Sequence, residues 1–417
     1  MSGKFARAML VSLCLVVHAG CGQKTAPSGR PAQKSSESWY GAYLGGHKIG
    51  YLRQMTSQAP EGLIRIYTEN FISAKSLDQP ITLRMIETLE ATTDYVPEKY
   101  FQKLDAGLGN PYIVRGRRQG DVFHIDVESG GHVLKTKDFS IRDLTFPQLA
   151  DQLIRTENMA VGKSWTFQIL NPADFLPIHI VISVDDATTL MVDGKPKNVF
   201  RVTAKMGAIE MVSYVDTMEA DPYRIEMPAM GLEYVREDKS TAVELSSGEL
   251  SHLDLAYFSA VTPTGRLPIP DSADDIRVRL HGAPLEGLDL SGDFQIVEKR
   301  SATEAVIGIR RPDVSHIEDT VSGETPADTQ TGASSVRAEL LRLARQLQRP
   351  TPLDFSRGAV AWMQKNIRQI PTSIVPDGAE VLEIGQGDCN EFSALFHAIC
   401  RAANFPCKIV SGVVFMD

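Results

Sequence analysis

Residues 39–258 alternate apolar and polar side chains with a period of two, in short runs that turn signals separate. Successive side chains of a strand point to opposite faces, so each run predicts a strand with one buried face. The clearest runs are 63–68, 81–87, 122–127 and 199–204, with turn signals at 45–46, 107–111, 130–131 and 193–194. Many short strands at this spacing predict an antiparallel β-rich domain over residues 39–261. Such a domain more often packs against or recognises a partner than catalyses a reaction.

Helical patterns are scarce in this region, and residues 146–155 are the best candidate. A proline-rich stretch and then a polar, acidic stretch with a few strands follow, so residues 262–335 are expected to form a linker. From residue 336 the apolar spacing becomes that of amphipathic helices, first over 336–347 and then over 352–370. The predicted fold class is therefore α+β, with an antiparallel β-rich domain followed by a smaller α+β domain over 336–417.

The first residues predict export from the cytoplasm. Lys4 and Arg7 precede an apolar run, 8–17, that is too short to span a membrane and has the length of a signal-peptide core. The run ends in His-Ala-Gly-Cys at 18–21, which resembles a bacterial lipobox. We therefore expect removal of residues 1–20 and lipidation of Cys21, with 21–38 as the lipidated cysteine and a flexible tether. The expected location is the bacterial envelope, facing the periplasm; secretion without a lipid is the alternative.

Composition narrows the possible partners and cofactors. A formal net charge of −9 argues against a nucleic-acid partner, because nucleic-acid-binding proteins present basic surfaces. Five cysteines do not make a disulfide framework, and no spacing of cysteine and histidine suggests zinc, so neither a metal nor a cofactor is expected. Cys400 falls on the buried face of a predicted helix and is expected to be part of the protein core. A bridge from Cys400 to Cys407 remains geometrically open.

The segment 387–391, Gly-Asp-Cys-Asn-Glu, leads from a glycine-rich loop into an amphipathic helix. Asp388, followed three residues later by Glu391, is a capping-box signature, which places Cys389 in the first helical turn. The apolar stripe of this helix is Phe392, Leu395, Phe396, Ile399 and Ala403. Since Cys389 comes three residues before the stripe, its sulfur is expected to point along it into the body of the domain.

A thiol in the first turn of a helix is where cysteine nucleophiles are often built. The helix dipole favours the thiolate by only about 0.3–1 kcal/mol, less than one pKa unit. Asp388 and Glu391 oppose that effect, so a reactive Cys389 needs a base, normally an imidazole within hydrogen-bond reach. His397 lies on the same helix but about 12 Å further along its axis, which is out of reach.

The segment resembles the core of the transglutaminase-like family of cysteine enzymes, relatives of papain in architecture. Three motifs carry the resemblance: Gly-Asp-Cys at 387–389, Arg-Ala-Ala-Asn-Phe-Pro at 401–406, and Val-Ser-Gly-Val at 410–413. Asn404 stands where the family usually has glycine, and asparagine also tolerates the left-handed backbone that ends a helix. The resemblance covers about residues 350–417 and implies that 336–417 is a partial transglutaminase-like domain.

The resemblance also implies a mechanism, in which Cys389 attacks a peptide or glutamine carboxamide and forms an acyl thioester. The partner would be a protein or peptide substrate. A catalytic histidine and aspartate should follow on the next two strands, after a strand over 407–417, so they are expected beyond residue 417. The alternative is a catalytically inactive envelope lipoprotein whose β-rich domain binds a partner. The two alternatives differ in the expected reactivity of the Cys389 thiol.

Overall fold

The computed structural model describes residues 35–76, 79–107, 110–141, 145–155, 159–170, 177–207, 209–217, 222–245, 264–265, 275–282, 285, 290–292, 295–310, 334–349, 351–369 and 378–410. The expected signal peptide, Cys21 and most of the tether lie outside these residues. The described chain consists mainly of one large antiparallel sheet, and most of its helices follow near the carboxyl end. The expectation of an antiparallel β-rich region followed by helices is confirmed at this level.

The large sheet contains fourteen strands within the described residues. In chain order, its elements and the helices beside it are β1 (Ser36–Leu44), β2 (His47–Gln58), β3 (Ile64–Ser76), β4 (Gln79–Ala91), β5 (Pro97–Asp105), β6 (Tyr112–Gln119), β7 (Val122–Ser129), β8 (His132–Ser140), α1 (Pro147–Arg155), β9 (Ser164–Leu170), β10 (Pro177–Val192), β11 (Lys195–Met206), β12 (Ile209–Asp216), β13 (Pro222–Met227), β14 (Leu232–Glu237) and α2 (Lys239–Val243). The predicted strands at 63–68, 81–87, 122–127 and 199–204 and the predicted helix at 146–155 are present.

The sheet runs in the order β8-β7-β6-β5-β4-β3-β2-β1-β14-β13-β12-β11-β10-β9, so most strands pair with their neighbours in sequence. The pairing of β1 with β14 joins its two halves. Strands β8 and β9 are the two ends of the sheet, yet only α1 and short connections separate them in the chain. Thr145, just before α1, forms a parallel bridge with Ile169 of β9. The sheet is therefore curled, and its two ends approach each other.

The core of the sheet is one apolar cluster drawn from strands of both halves. Helix α1 lies against this cluster, and its Leu149 and Ile154 side chains are fully buried. The Phe146 ring, one residue before the helix, packs on the rings of Tyr100 and Phe123 at centroid distances of 4.9 and 5.2 Å. Each large apolar side chain buried in this way contributes about 1.5–3 kcal/mol. Helix α1 is thus attached to the inner face of β5–β7.

The carboxyl-terminal part begins with a three-stranded antiparallel sheet of order β15-β17-β16, made by β15 (Asp275–His281), β16 (Gln295–Lys299) and β17 (Glu304–Arg310). It continues with α3 (Ser334–Leu347), α4 (Pro352–Asn366), β18 (Arg368–Gln369), α5 (Gly378–Ile384), β19 (Gln386–Gly387) and α6 (Cys389–Ala402). The four helices share a second apolar core, which includes Leu340, Leu343, Phe355, Met363, Val381, Leu395 and Ile399. The helices expected over 336–347 and 352–370 correspond to α3 and α4.

The strand expected over 407–417 is not present in its described part. Residues 405–410 have no regular secondary structure, and Ile409 and Val410 are 39% and 76% exposed. A strand needs a partner for its backbone groups, and none of the described strands pairs with this segment. Residues 411–417 lie outside the described residues. Within the part of the chain that is described, no helix has the length and apolar character needed to cross a membrane.

Candidate active site

Cys389 is the first residue of α6, and the capping box predicted around it is present. The Asn390 N–H donates to Asp388 Oδ1 at 3.0 Å, and the Asp388 N–H donates to Glu391 Oε2 at 2.7 Å. These bonds satisfy backbone donors that the first turn of a helix leaves without intrahelical partners. The position of the thiol at the helix start is therefore fixed by its two acidic neighbours.

Glycine at 387 is required for this arrangement. A Cβ added to Gly387 would lie 2.2 Å from the Glu391 Cβ, closer than two carbon atoms that are not bonded to each other can approach. Glu391 folds back over this glycine to reach the Asp388 N–H. The capping box can form because residue 387 has no side chain. The glycine thus allows the loop to approach the first turn of α6 closely.

The thiol of Cys389 is exposed, which corrects the expectation that it points into the body of the domain. The buried positions of α6 are Glu391, Leu395, Ala398, Ile399 and Cys400. At about 100° per residue, Cys389 lies roughly 130° around the helix from the centre of that face. Phe392 and Phe396, which the sequence placed on the stripe, are only partly buried. The thiol therefore faces solvent, where a substrate carbonyl can reach it.

The loop before Cys389 is bonded to the large sheet. Gln386 Nε2 donates to the Asn110 carbonyl oxygen, and the Asn110 N–H donates to Gln386 Oε1, both at 3.4 Å. Gln386 is only 2% exposed. An ion pair of Lys135 with Glu380 at 3.2 Å joins the same parts of the chain, and His132 Nδ1 lies 3.9 Å from Glu383 Oε1. The β6–β8 region of the sheet thus holds α5 and the start of α6.

The surroundings of this helix start are acidic. Glu380, Asp388 and Glu391 are 6%, 5% and 1% exposed. Burial of Tyr112 on β6 raises the pKa of its hydroxyl, and the negative charges of Glu391, Glu380 and Asp388 raise it further. The same charges disfavour a thiolate at the neighbouring Cys389, in opposition to the helix dipole. A base is therefore needed to make the thiol a nucleophile at neutral pH.

The end of α6 is built as its sequence predicts. Asn404 has a left-handed φ of 59°, its N–H donates to the Arg401 carbonyl at 3.0 Å, and the Phe405 N–H donates to the Cys400 carbonyl at 2.8 Å. This pair of bonds is a Schellman motif. The Phe405 ring then packs on Phe355 of α4 at a centroid distance of 4.6 Å. The nucleophile helix is thus fixed at both ends.

The remaining candidate residues do not join Cys389. His397 is half-buried further along α6, and His124 pairs with Asp138 at 2.5 Å on the surface of the large sheet. Cys400 and Cys407 are free thiols that interact with each other, and no disulfide joins them. Among the described residues, no group of three or more histidine, cysteine and acidic side chains could hold a metal ion.

Sequence reasoning did not identify the contacts that hold the site. Gln386 and Asn110 are 276 residues apart, and nothing in the pattern of either segment points to the other. The sequence contains only a local signal for Gln386: it is a single polar residue between Gly385 and Gly387, directly before the turn that carries Cys389. Lys135 and Glu380 are ordinary surface residue types, so their pairing also depends on the fold.

Comparison with known families supports the resemblance for this part of the chain. Residues 342–416 match the model of the transglutaminase-like superfamily. The match covers less than a fifth of the 417 residues and includes Cys389. We refer to 342–416 as the transglutaminase-like segment. A comparison with curated proteins gave no match.

Two solved structures show a distant similarity to about half of the chain each. One is a beta-barrel-like protein of a domain of unknown function from Brucella abortus, at 8% identity and TM-score 0.37, covering 48% of this chain and 94% of that chain. The other is a protein of another domain-of-unknown-function family from Pseudomonas aeruginosa, at 14% identity and TM-score 0.26, covering 50% of this chain and 97% of that chain.

Proposed function

We propose that the transglutaminase-like segment carries the nucleophile of a cysteine acyl-transfer enzyme that acts on peptide or glutamine carboxamides. The observation that carries this proposal is the exposed Cys389 thiol at the capped start of α6, within the segment that matches the superfamily. A sulfur in this position can reach a carbonyl carbon, and the positive end of the helix favours both a thiolate and a developing oxyanion.

In the proposed reaction, a bond forms between Cys389 Sγ and the carbonyl carbon, and the carbon–nitrogen bond breaks. The products are an acyl thioester and ammonia, if the substrate is a glutamine side chain, or an amine, if it is a peptide. Water or a second amine then takes the acyl group. The thiol proton passes to a base and from it to the leaving nitrogen. We assign that base to an imidazole outside the described residues, with an aspartate to orient it.

A second function is supported by the acidic surroundings of the thiol. Buried Asp388 and Glu391 on either side of Cys389 disfavour a thiolate. They are compatible with a catalytically inactive envelope protein in which the β-rich region binds a partner. The two functions differ in a measurable property. The enzyme requires a thiol that reacts faster than free cysteine, whereas the inactive protein does not.

Activity of the full chain tests the proposal. We would measure ammonia release from a glutamine-containing peptide and incorporation of a fluorescent amine into a protein substrate. Cys389→Ala should abolish both, and Cys407→Ser is the matched control that should retain them. If the unsubstituted chain shows neither activity and Cys389 reacts with iodoacetamide no faster than free cysteine, the second function is the correct one.

We also propose that a lipid on Cys21 anchors the chain to the envelope, facing the periplasm. The support is the apolar run 8–17 followed by the lipobox-like residues 18–21. Expression in a bacterial host with an alkyne-labelled fatty acid should label the protein and place it in the membrane fraction. Cys21→Ser should lose the label and move to the soluble fraction, whereas the same distribution for both proteins would contradict the proposal.

A further inference from the structure

The inner face of the large sheet has a row of polar side chains across its middle. Strand pairing places Ser38, Gln54, Thr68, Glu87 and Gln102 directly opposite one another on β1 to β5. All of them are buried, and none is more than 8% exposed. With neighbouring strands about 4.8 Å apart, the row is about 19 Å long. The face that encloses a core is normally apolar, so a continuous polar row there is unusual.

The rows on either side are mainly apolar. On one side Leu52, Met85 and Leu104 come from β2, β4 and β5, and on the other side Ile66 and Leu89 come from β3 and β4. All of them are buried. The inner surface therefore presents a polar strip between two apolar strips, and this combination is complementary to an amphipathic molecule.

Three amide oxygens in and beside the row have no hydrogen-bond partner, although they are buried: Gln54 Oε1, Asn70 Oδ1 and Gln148 Oε1. The amide nitrogens of the last two side chains are engaged. Asn70 Nδ2 donates to the Tyr234 hydroxyl at 2.9 Å, and Gln148 Nε2 of α1 donates to Glu87 Oε2 at 3.4 Å. These three amide oxygens can only accept hydrogen bonds. Burying an amide oxygen without a donor is unfavourable, so three such oxygens in and beside the row point to a ligand that donates.

Glu87 makes the row chemically selective. Its Oε1 accepts from the Tyr100 hydroxyl at 2.7 Å and from Gln102 Nε2 at 3.2 Å. Complete burial raises the pKa of this carboxyl, which favours its neutral form. The other four side chains of the row, Ser38, Gln54, Thr68 and Gln102, are uncharged and buried, and burying an ion among them costs far more than burying a neutral group. A neutral donor is therefore a better match than an ammonium group.

We propose that this inner row binds a small amphipathic molecule whose neutral head group carries several hydroxyl or N–H donors. The head group donates to the oxygens of Gln54, Asn70 and Gln148, and its apolar part lies along the flanking apolar rows. This site lies on the β-rich region and does not depend on acyl transfer at Cys389. Failure of either proposal leaves the other unaffected.

The test uses the full chain and n-octyl-β-D-glucoside below its critical micelle concentration, with isothermal titration calorimetry as the readout. The glucoside head has several hydroxyl donors. The comparison compound is n-octyl-N,N-dimethylamine N-oxide, which has the same tail and a head that only accepts hydrogen bonds. We expect saturable binding of one glucoside per chain and at least tenfold weaker binding of the N-oxide. Absence of saturable glucoside binding, or equal affinity for both compounds, would overturn the proposal.

Variants locate the binding. Asn70→Leu removes one of the unpartnered oxygens and should weaken glucoside binding at least tenfold. Thr68→Val is nearly isosteric and removes a hydroxyl from the row. If Asn70→Leu does not fold, glucoside binding is measured with Thr68→Val instead. Tyr67→Phe removes a hydroxyl from the outer face of the same strand and should leave the affinity unchanged. If Thr68→Val and Tyr67→Phe bind the glucoside with the same affinity as the unsubstituted chain, the inner row is not the site.

Discussion

Gln386 and Asn110 bond to each other twice, from side-chain amide to backbone carbonyl and from backbone N–H to side-chain oxygen, at 3.4 Å each. Gln386 lies three residues before Cys389, so this pair attaches the nucleophile turn to the start of β6. The Lys135–Glu380 ion pair adds a second attachment on β8. The β-rich region is therefore part of the structure that positions the thiol.

Gln386→Leu should remove both bonds without changing the size of the side chain greatly. We expect a loss of about 1 kcal/mol in the free energy of unfolding, the usual net value for hydrogen bonds of this kind. Urea denaturation measures the loss, and hydrogen exchange of the Asn110 amide should become faster. Gln369→Leu, at an exposed position of the short strand β18, is the matched control and should have little effect. Equal losses for both variants would contradict a specific role for Gln386.

A second prediction concerns two glycines that differ in their surroundings. Gly387→Ala should destabilise the chain by about 2–4 kcal/mol, because the added methyl group displaces Glu391 and breaks the capping box. Gly358→Ala, inside α4 with nothing within 4 Å of the added Cβ, should be neutral or stabilising by up to about 1 kcal/mol. Thermal unfolding of both variants measures the difference. Similar melting temperatures would refute the role assigned to Gly387.

The capping box at Asp388 and Glu391 and the left-handed Asn404 could be predicted because each depends on residues a few positions apart. The orientation of Cys389 was predicted wrongly. The apolar spacing placed Phe392 and Phe396 on the buried face together with Leu395 and Ile399, but the tertiary contacts bury only Leu395 and Ile399 completely. The contact of Gln386 with Asn110 could not be predicted. It depends on how the sheet curls and where the helices pack against it, and neither is encoded in a local pattern.

The three described cysteines should differ in reactivity. Burial of Cys400, with a further contribution from the neighbouring Cys407, raises the pKa of its thiol to about 12. The thiolate is the reactive form, so iodoacetamide near pH 7.5 should alkylate the exposed Cys389 roughly 100-fold faster than Cys400, or more. Peptide mapping over a time course measures each rate. In denaturant the rates should converge, and a native Cys400 that reacts as fast as Cys389 would contradict its burial.

Two glutamates on β4 should respond to pH in opposite directions. Burial raises the folded-state pKa of Glu87, so the folded chain keeps a proton that the unfolded chain loses above about pH 4.5. Protonated Glu87 therefore contributes its full stabilisation below about pH 4.5, and this contribution is lost as pH rises through the higher folded-state pKa. Glu87→Gln should therefore stabilise the chain at pH 7, and the gain should disappear near pH 4.

Glu90, on the outer face of β4, is the matched control. A hydrogen bond from Arg65 at 2.7 Å lowers its pKa, although partial burial opposes this. Ionised Glu90 stabilises the fold above its unfolded pKa, and the contribution is lost as pH falls through the lower folded value. Since Arg65 is 40% exposed, Glu90→Gln should lower stability at pH 7 by only roughly 0.5–1 kcal/mol. Urea unfolding at pH 4 and pH 7 tests both signs, and the same sign for the two variants would contradict the assignments.

The last prediction concerns the end of the nucleophile helix. Asn404 occupies a left-handed conformation with φ of 59°, which most residues with a Cβ adopt only at a cost. Asn404→Ala should lower the free energy of unfolding by about 1 kcal/mol, whereas Asn404→Gly should equal the unsubstituted chain or exceed it slightly. Chemical denaturation of the two variants measures this difference. If alanine and glycine have equal stability at this position, the left-handed turn does not limit the stability of α6.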